Sequence, residues 1–219
     1  MVFKARISKK TLADHFKYYV WVYVVALVLS VTFFNMSIDV INGQAPREEQ
    51  LFSYVCGESI SMQYFVIFHE EMTEAFPDMK YVVCENLAYN DGTTQASIYK
   101  NKFLSLVSEK YGDVMILPYN EFTDLAKYGY FAPLEDDFGE YIDDVDPVSL
   151  KTVTMNTEEN GTHVYGIPLS HLEFFPYDYD TSDKVLVLTS YSQNVENAKK
   201  LFAWYLDYML ETDWYGTIN

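Results

Sequence analysis

The chain has 219 residues, 15 of them basic and 32 acidic, for a formal charge of −17. Such a surface repels nucleic acid and anionic lipid headgroups, so phosphate-rich partners are not expected. With 20 Tyr and 15 Phe, the chain is too aromatic for a disordered polypeptide.

In chain order, a basic tail (1–17) carrying Lys4, Arg6, Lys9, Lys10 and Lys17 leads into 21 residues without a formal charge, 18–38. As a helix that run is roughly 31 Å long, the thickness of a bilayer's hydrocarbon core. The positive flank keeps the tail cytoplasmic, and Tyr18, Tyr19, Trp21 and Tyr23 gather where amphipathic rings favour the headgroup level. Everything from about Asp39 onward is expected outside the cytoplasm. A cleaved signal peptide has a shorter apolar core of about 7–15 residues and a small-residue cleavage site. Here the run leaves through Phe33-Phe34-Asn35-Met36-Ser37. A lipoprotein would place a cysteine just past the run, and the first one is Cys56. Apolar on every side, the run is less expected as a buried core helix than as a membrane span. The run therefore reads as a retained single-pass anchor in the cell membrane.

Five basic residues and one acid, Asp14, fall in the first 34 positions, so the remainder carries 10 basic against 31 acidic residues, a charge of −21. A solvated acidic face accounts for this without an acidic binding patch. Residues 39–50, including Asn42-Gly43-Gln44-Ala45-Pro46, read as a short polar linker. Residues 51–219 suffice for one domain with a proper core.

Within that domain, 51–55 is a short apolar run closed by Cys56-Gly57-Glu58, a buried strand and its turn. Ile60, Tyr64, Ile67, Phe68, Met72 and Ala75 recur at helical spacing, and Pro77 stops that helix. Tyr81-Val82-Val83-Cys84 predicts a second strand, 94–110 a second helix, and 114–117 a third strand ended by Pro118. A short helix over 120–128 stops at Gly129. Alternation at this spacing implies parallel crossovers in one open sheet with helices on both faces. The pattern then breaks: 131–146 reads as an acidic connection, and 153–169 as a hairpin with Glu159-Asn160-Gly161 at its tip. A further strand over 185–189 and a helix over 195–210 close the order. The fold class is α/β, a single open, mostly parallel sheet preceded by one transmembrane helix.

Several phrases resemble the extracellular solute-binding proteins of sugar-type ABC importers. They are the first strand with Gly57-Glu58 and its helix running into Phe76-Pro77-Asp78-Met79-Lys80, then Gly112-Asp113-Val114-Met115-Ile116-Leu117-Pro118 with Gly129-Tyr130-Phe131-Ala132-Pro133-Leu134. Val164-Tyr165-Gly166-Ile167-Pro168-Leu169 follows, and then the strand from Lys184 with the helix after Asn194. The resemblance implies the first lobe of a periplasmic-binding-protein-like fold. In the family, the Gly-Ile-Pro segment crosses a hinge into a second lobe of well over about a hundred residues, whereas here only residues 170–183 intervene. The chain thus resembles such a protein reduced to its first lobe and left on an anchor.

Ligands of open parallel sheets sit at the carboxyl ends of the strands. Gly57, Glu58, Tyr119, Asn120 and Glu121 are expected there, either as a contact surface or as turn and cap residues, with Asn120 capping a helix. Asp91-Gly92-Thr93 also forms a turn, but the strand before it is read as ending at Cys84. His171, Glu173, Phe174, Phe175 and Tyr177, with Asp178, Tyr179 and Asp180, replace the missing lobe. They suit either a protein contact or a cap over the sheet's open end. Cys56 and Cys84 fall near the carboxyl ends of two strands that the family pairs side by side. An extracytoplasmic location permits a disulfide, while parallel neighbours bridge awkwardly and buried free thiols are common; both states stay open.

The acids at Asp143, Asp144 and Asp146, or Asp178, Asp180 and Asp183, lack a calcium loop's spacing and glycine, and His15, His69, His163 and His171 show no ligand spacing. No metal or cofactor is expected. Gly-x-Ser-x-Gly, His-Glu-x-x-His and phosphate-cradling loops are missing too, so an enzyme is not expected. The reading is a membrane-tethered, non-catalytic extracytoplasmic accessory protein that docks on a membrane partner such as an ABC transporter permease or a sensor. Its rival is a carbohydrate receptor whose pocket a homodimer or the 171–180 segment completes.

Overall fold

The computed structural model describes residues 9–43, 46–157, 161–171 and 179–211, in two compact units, Met1–Ala45 and Pro46–Asn219. The first unit is helix α1, Lys9–Gly43, within which Tyr19–Ile38 is long and apolar enough to cross a membrane. Three of its hydroxyls are satisfied within the helix: Ser30, Thr32 and Ser37 each donate to the carbonyl four residues back, at 2.7, 2.9 and 2.7 Å. The helix runs on to Gly43, a residue suited to a helix end, so residues 39–43, expected as linker, continue the helix. In the second unit Arg47–Glu49 is a turn of 3₁₀ helix and Gln50 already opens a strand. The expected linker is thus largely structured.

The second unit begins with β1 (Gln50–Gly57), α2 (Met62–Ala75), β2 (Tyr81–Ala88) and α3 (Ala96–Ser108). β3 (Val114–Pro118) and α4 (Tyr119–Ala126) follow. The segment expected as an acidic connection instead holds α5 (Glu135–Asp143), kinked at Phe138, and after it comes α6 (Pro147–Val153). Asp146 caps α6 by accepting from the amides of Val148 and Ser149, both at 3.0 Å, with Pro147 in the first turn. The expected hairpin divides: β4 (Thr154–Thr157) and β5 (Gly161–Val164) pair as a separate ribbon, its tip lying outside the described residues. β6 (Ile167–Pro168) leaves it to join the main sheet. β7 (Lys184–Leu188) and α7 (Val195–Glu211) complete the order.

The main sheet has the order β2-β1-β3-β7-β6. β1 is parallel to β2 and β3, and β7 runs against β3 and β6, so the sheet is mixed with β7 alone reversed. β1 lies between two neighbours and is buried at all eight residues, which is why it reads as an apolar run without alternation. Phe68 of α2 meets Trp204, Tyr205 and Tyr208 of α7 with ring centroids 5.3–5.4 Å apart. Tyr205 then reaches the sheet, its hydroxyl 2.5 Å from Ser53 Oγ and 3.8 Å from Cys84 Sγ. On the other face, Tyr89 packs on Phe103 of α3, and Lys100 of α3 is tied to Glu121 of α4 at 2.5 Å.

At the amino end the ladder between β1 and β3 is prolonged by a side chain. The Phe52 amide donates to Asp113 Oδ2 at 2.8 Å, and Ser192 Oγ donates to Asp113 Oδ1 at 2.7 Å. Asn194 Nδ2 donates to the carbonyl of Glu48 at 2.7 Å, and the Arg47 guanidinium lies 4.5 Å from the Phe52 ring and 4.2 Å from that of Tyr111. These contacts fasten the start of the domain to its core.

Candidate functional site

β1, β2, β3 and β6 all end at one edge of the sheet, and β7 begins there. Its centre is Gly57, held at φ +114, a conformation that L side chains rarely adopt. A Cβ at Gly57 would lie 3.1 Å from Pro118 Cγ and 3.3 Å from Lys184 Cε. The glycine therefore makes room for the stem of Lys184, which crosses the ends of β1 and β3.

That lysine side chain is 1% exposed, and its ammonium pairs with Glu58 Oε2 at 2.8 Å and with the Asp183 carboxylate. Burial works to lower its pKa, but the Asp183 and Glu58 carboxylates outweigh burial and raise it above the ordinary value. The ammonium also lies 5.7 Å from the centre of the Tyr179 ring. Tyr179 is buried and donates its hydroxyl to the carbonyl of Cys56 at 2.9 Å, and burial pushes that phenol well up. Beside them Asn86 pins the turn after β1, donating to the carbonyls of Val55 and Glu58 and accepting from the Ile60 amide, each at 3.0 Å.

The expected residues divide at this edge. Gly57 and Glu58 are at its centre. Tyr119 and Asn120 are exposed, and Asn120 is the second residue of α4 rather than its cap, because Pro118 takes that position. Glu121 is turned to Lys100, so its charge is already matched. β2 continues to Ala88, four residues past the expected end at Cys84, which brings Asp91-Gly92-Thr93 to the same edge as a turn in which Asp91 Oδ1 accepts from the Thr93 amide at 2.9 Å. His171 ends a 3₁₀ turn, while Glu173, Phe174, Phe175 and Tyr177 lie outside the described residues.

The longer β2 also rules out the disulfide. Cys56 is level with Leu87 and Cys84 with Ser53, so the cysteines are three rungs apart and point to opposite faces; both are free and buried. Burial pushes the Cys84 thiol up to about 12 and that of Cys56 higher still. Lys184, Asn86 and Lys100 were not singled out by the sequence. For Lys184 a signal existed, since it is a lone cation opening the apolar strand Lys-Val-Leu-Val-Leu.

Next to Lys184 a groove of about 290 Å³ carries Tyr119 and Val148 with the hydroxyl-bearing Thr152, Ser170 and Ser182 and the acid Asp183. Lys184 and Lys100 are both paired with carboxylates, so this edge offers hydroxyls, carboxylates and aromatic faces rather than free positive charge. Among the described residues, no three His, Cys, Asp or Glu side chains come together as a metal site.

No family model and no curated protein matches this sequence. Among solved structures, the chain is similar to an extracellular solute-binding protein family 1 from Alicyclobacillus acidocaldarius subsp. acidocaldarius DSM 446, with a TM-score of 0.41 and 20% identity over 54% of this chain and 27% of that one. It is similar to an ABC transporter solute binding protein from Agrobacterium vitis S4 with bound D-mannitol, with a TM-score of 0.39 and 19% identity over 55% and 27%. The GacH receptor of Streptomyces glaucescens GLA.O, solved unliganded and with acarbose, gives a TM-score of 0.39 and 19% identity over 54% and 28%. This chain spans 27–28% of the length of these three structures.

Proposed function

We propose that this chain is a membrane-tethered, non-catalytic extracytoplasmic accessory protein. In this reading the carboxyl edge of its sheet docks on a membrane partner such as an ABC transporter permease or a sensor. The observation that carries the reading is how that edge is finished. Residues 170–183 connect Leu169 to Lys184 directly, and Tyr179 and the Lys184–Glu58 pair seat on the strand ends. A clamp that closes on a solute needs two walls, and fourteen residues do not make a second one. An acidic, hydroxyl-rich edge with one open groove suits a partner that supplies its own wall. The apolar span of α1 would tether it, with the basic tail in the cytoplasm.

The test is a pull-down of the full-length chain from its native membrane in mild detergent, with mass spectrometry of the eluate. A permease or sensor subunit in fixed ratio supports the reading; an eluate without a stoichiometric partner counts against it.

One observation favours a second reading, a carbohydrate receptor. The groove beside Lys184 sets an aromatic ring, Tyr119, among hydroxyls and the Asp183 carboxylate. Calorimetry of the chain against a sugar panel decides it, with micromolar heats in support and flat titrations against.

A further inference from the structure

The two outer strands of the sheet are finished differently. β6 is two residues long and ends in Pro168, the usual way of blunting an edge. β2 has none of these protections. It runs eight residues in unbroken register against β1, contains no proline, and carries a single charge, Glu85, which Lys102 holds at 2.6 Å. Every residue of the neighbouring β1 is buried, whereas Tyr81 of β2 is exposed and Val82, Val83, Glu85 and Asn86 are half-buried. Among the described residues no further strand pairs with β2. Its outward amides and carbonyls thus have no strand partner among the described residues over a length of about 26 Å at the ordinary strand rise, though Cys84, Leu87 and Ala88 are buried.

The helices flanking this edge turn it into a trough. Between the starts of α2 and α3 lies a groove of about 480 Å³, lined by Met62 and Phe65 of α2, Tyr99 of α3, Glu85 and Asn86 of β2 itself, and Asp91. Met62 is 75% exposed, and Ile98 on α3 is 66% exposed. A strand laid along β2 would send alternate side chains toward such apolar contacts while its backbone completes the ladder. The domain around the trough carries 10 basic against 31 acidic residues, so the strand that fits it is basic.

We propose that the free edge of β2 receives an extended, basic peptide segment of a partner protein, added as a sixth strand in the trough between α2 and α3. This surface adjoins the Lys184 edge through Asn86 and Asp91 but shares no lining residue with the groove beside Lys184. Backbone pairing supplies affinity, the apolar rim reads alternate side chains, and the acidic surroundings select cationic segments.

The test uses the full chain in detergent micelles and a fluorescent octapeptide of alternating Lys and Val, followed by anisotropy and by hydrogen exchange of the β2 amides. The Lys-Val peptide is expected to bind and to slow exchange of outward β2 amides at least about tenfold, with affinity falling as salt rises. Methylating alternate peptide nitrogens is expected to abolish binding for one parity and spare it for the other. A Glu-Val peptide is expected to bind at least about tenfold more weakly. Absence of binding, binding without protection of β2, or equal binding of both methylated peptides overturns the proposal. So does a free chain that sediments as a dimer with β2 already protected, since the occupant would then be a second copy.

Discussion

Lys184 Nζ lies 2.8 Å from Glu58 Oε2, and the two residues differ sharply in exposure: the lysine side chain is 1% exposed, the glutamate 36%. The pair is therefore asymmetric. Removing the lysine leaves two carboxylates, Glu58 and the 56%-exposed Asp183, that water can solvate. Removing the carboxylates leaves a buried ammonium with nothing to balance it.

Lys184→Met is accordingly expected to cost no more than about 1 kcal/mol, in the range of exposed pairs. The double variant Glu58→Gln with Asp183→Asn is expected to cost about 3–5 kcal/mol, the range for orphaning a buried charge. Urea unfolding of the full chain in mild detergent, followed by near-ultraviolet circular dichroism, gives both values, and equal costs would contradict the asymmetry. Because the folded pKa of Lys184 is raised, its contribution is complete below the ordinary value of 10.5 and disappears as pH rises through the folded value.

Gly57→Ala is expected to destabilise by about 1–3 kcal/mol, since φ +114 strains any residue with a Cβ. The added methyl also meets Pro118 Cγ at 3.1 Å and Lys184 Cε at 3.3 Å. Combining it with Lys184→Met relieves the second contact but not the strain, so the double variant should recover only part of the loss in the same unfolding assay.

Asp113 carries a pH dependence of known sign. Burial raises its pKa above the ordinary 3.8, against the pull of hydrogen bonds from Ser192 and the Phe52 amide. The folded state thus holds this proton more tightly than the unfolded one. The resulting stability is complete below 3.8 and is lost as pH rises through the folded pKa. Asp113→Asn keeps an acceptor for the Phe52 amide and removes the titration. The stability of the native chain relative to this variant should therefore fall as pH rises from below 3.8 to about 7, measured as the difference in urea midpoints. A difference that is flat or rises with pH contradicts the assignment.

Thiol titration of denatured, unreduced protein is expected to find both Cys56 and Cys84 free, and the native protein to react slowly because both are buried. A single mixed population with no free thiol would mean that β2 is out of register with β1.

Much of the strand and helix order was legible because each element carries its own local signal. Ile60 to Ala75 repeats at helical spacing, and Val114 to Leu117 is an apolar run between turn residues. Where the signal weakened, the element was missed. Glu85 and Asn86 ended the apolar run of β2 on paper, yet both continue the strand, since an edge strand can carry polar residues where Lys102 and the β1 turn satisfy them. Glu135, Asp136 and Asp137 looked like connection, but they are the first turn of α5, where carboxylates meet the positive end of a helix.

By itself the sequence determined the class of the molecule: an apolar span at the N-terminus, an acidic α/β domain behind it, and a connection of only fourteen residues between Leu169 and Lys184. Those properties depend on composition, period and length, which are read along the chain. Only the tertiary structure decided which residues meet at the sheet's carboxyl edge. Register places Cys56 opposite Leu87 rather than Cys84, and the reversal of β7 carries Lys184 across to Glu58, 126 positions away. Local preference does not encode such encounters. They arise when strands distant in sequence align to bury their apolar faces, and polar groups at the strand ends pair with whatever that alignment brings beside them.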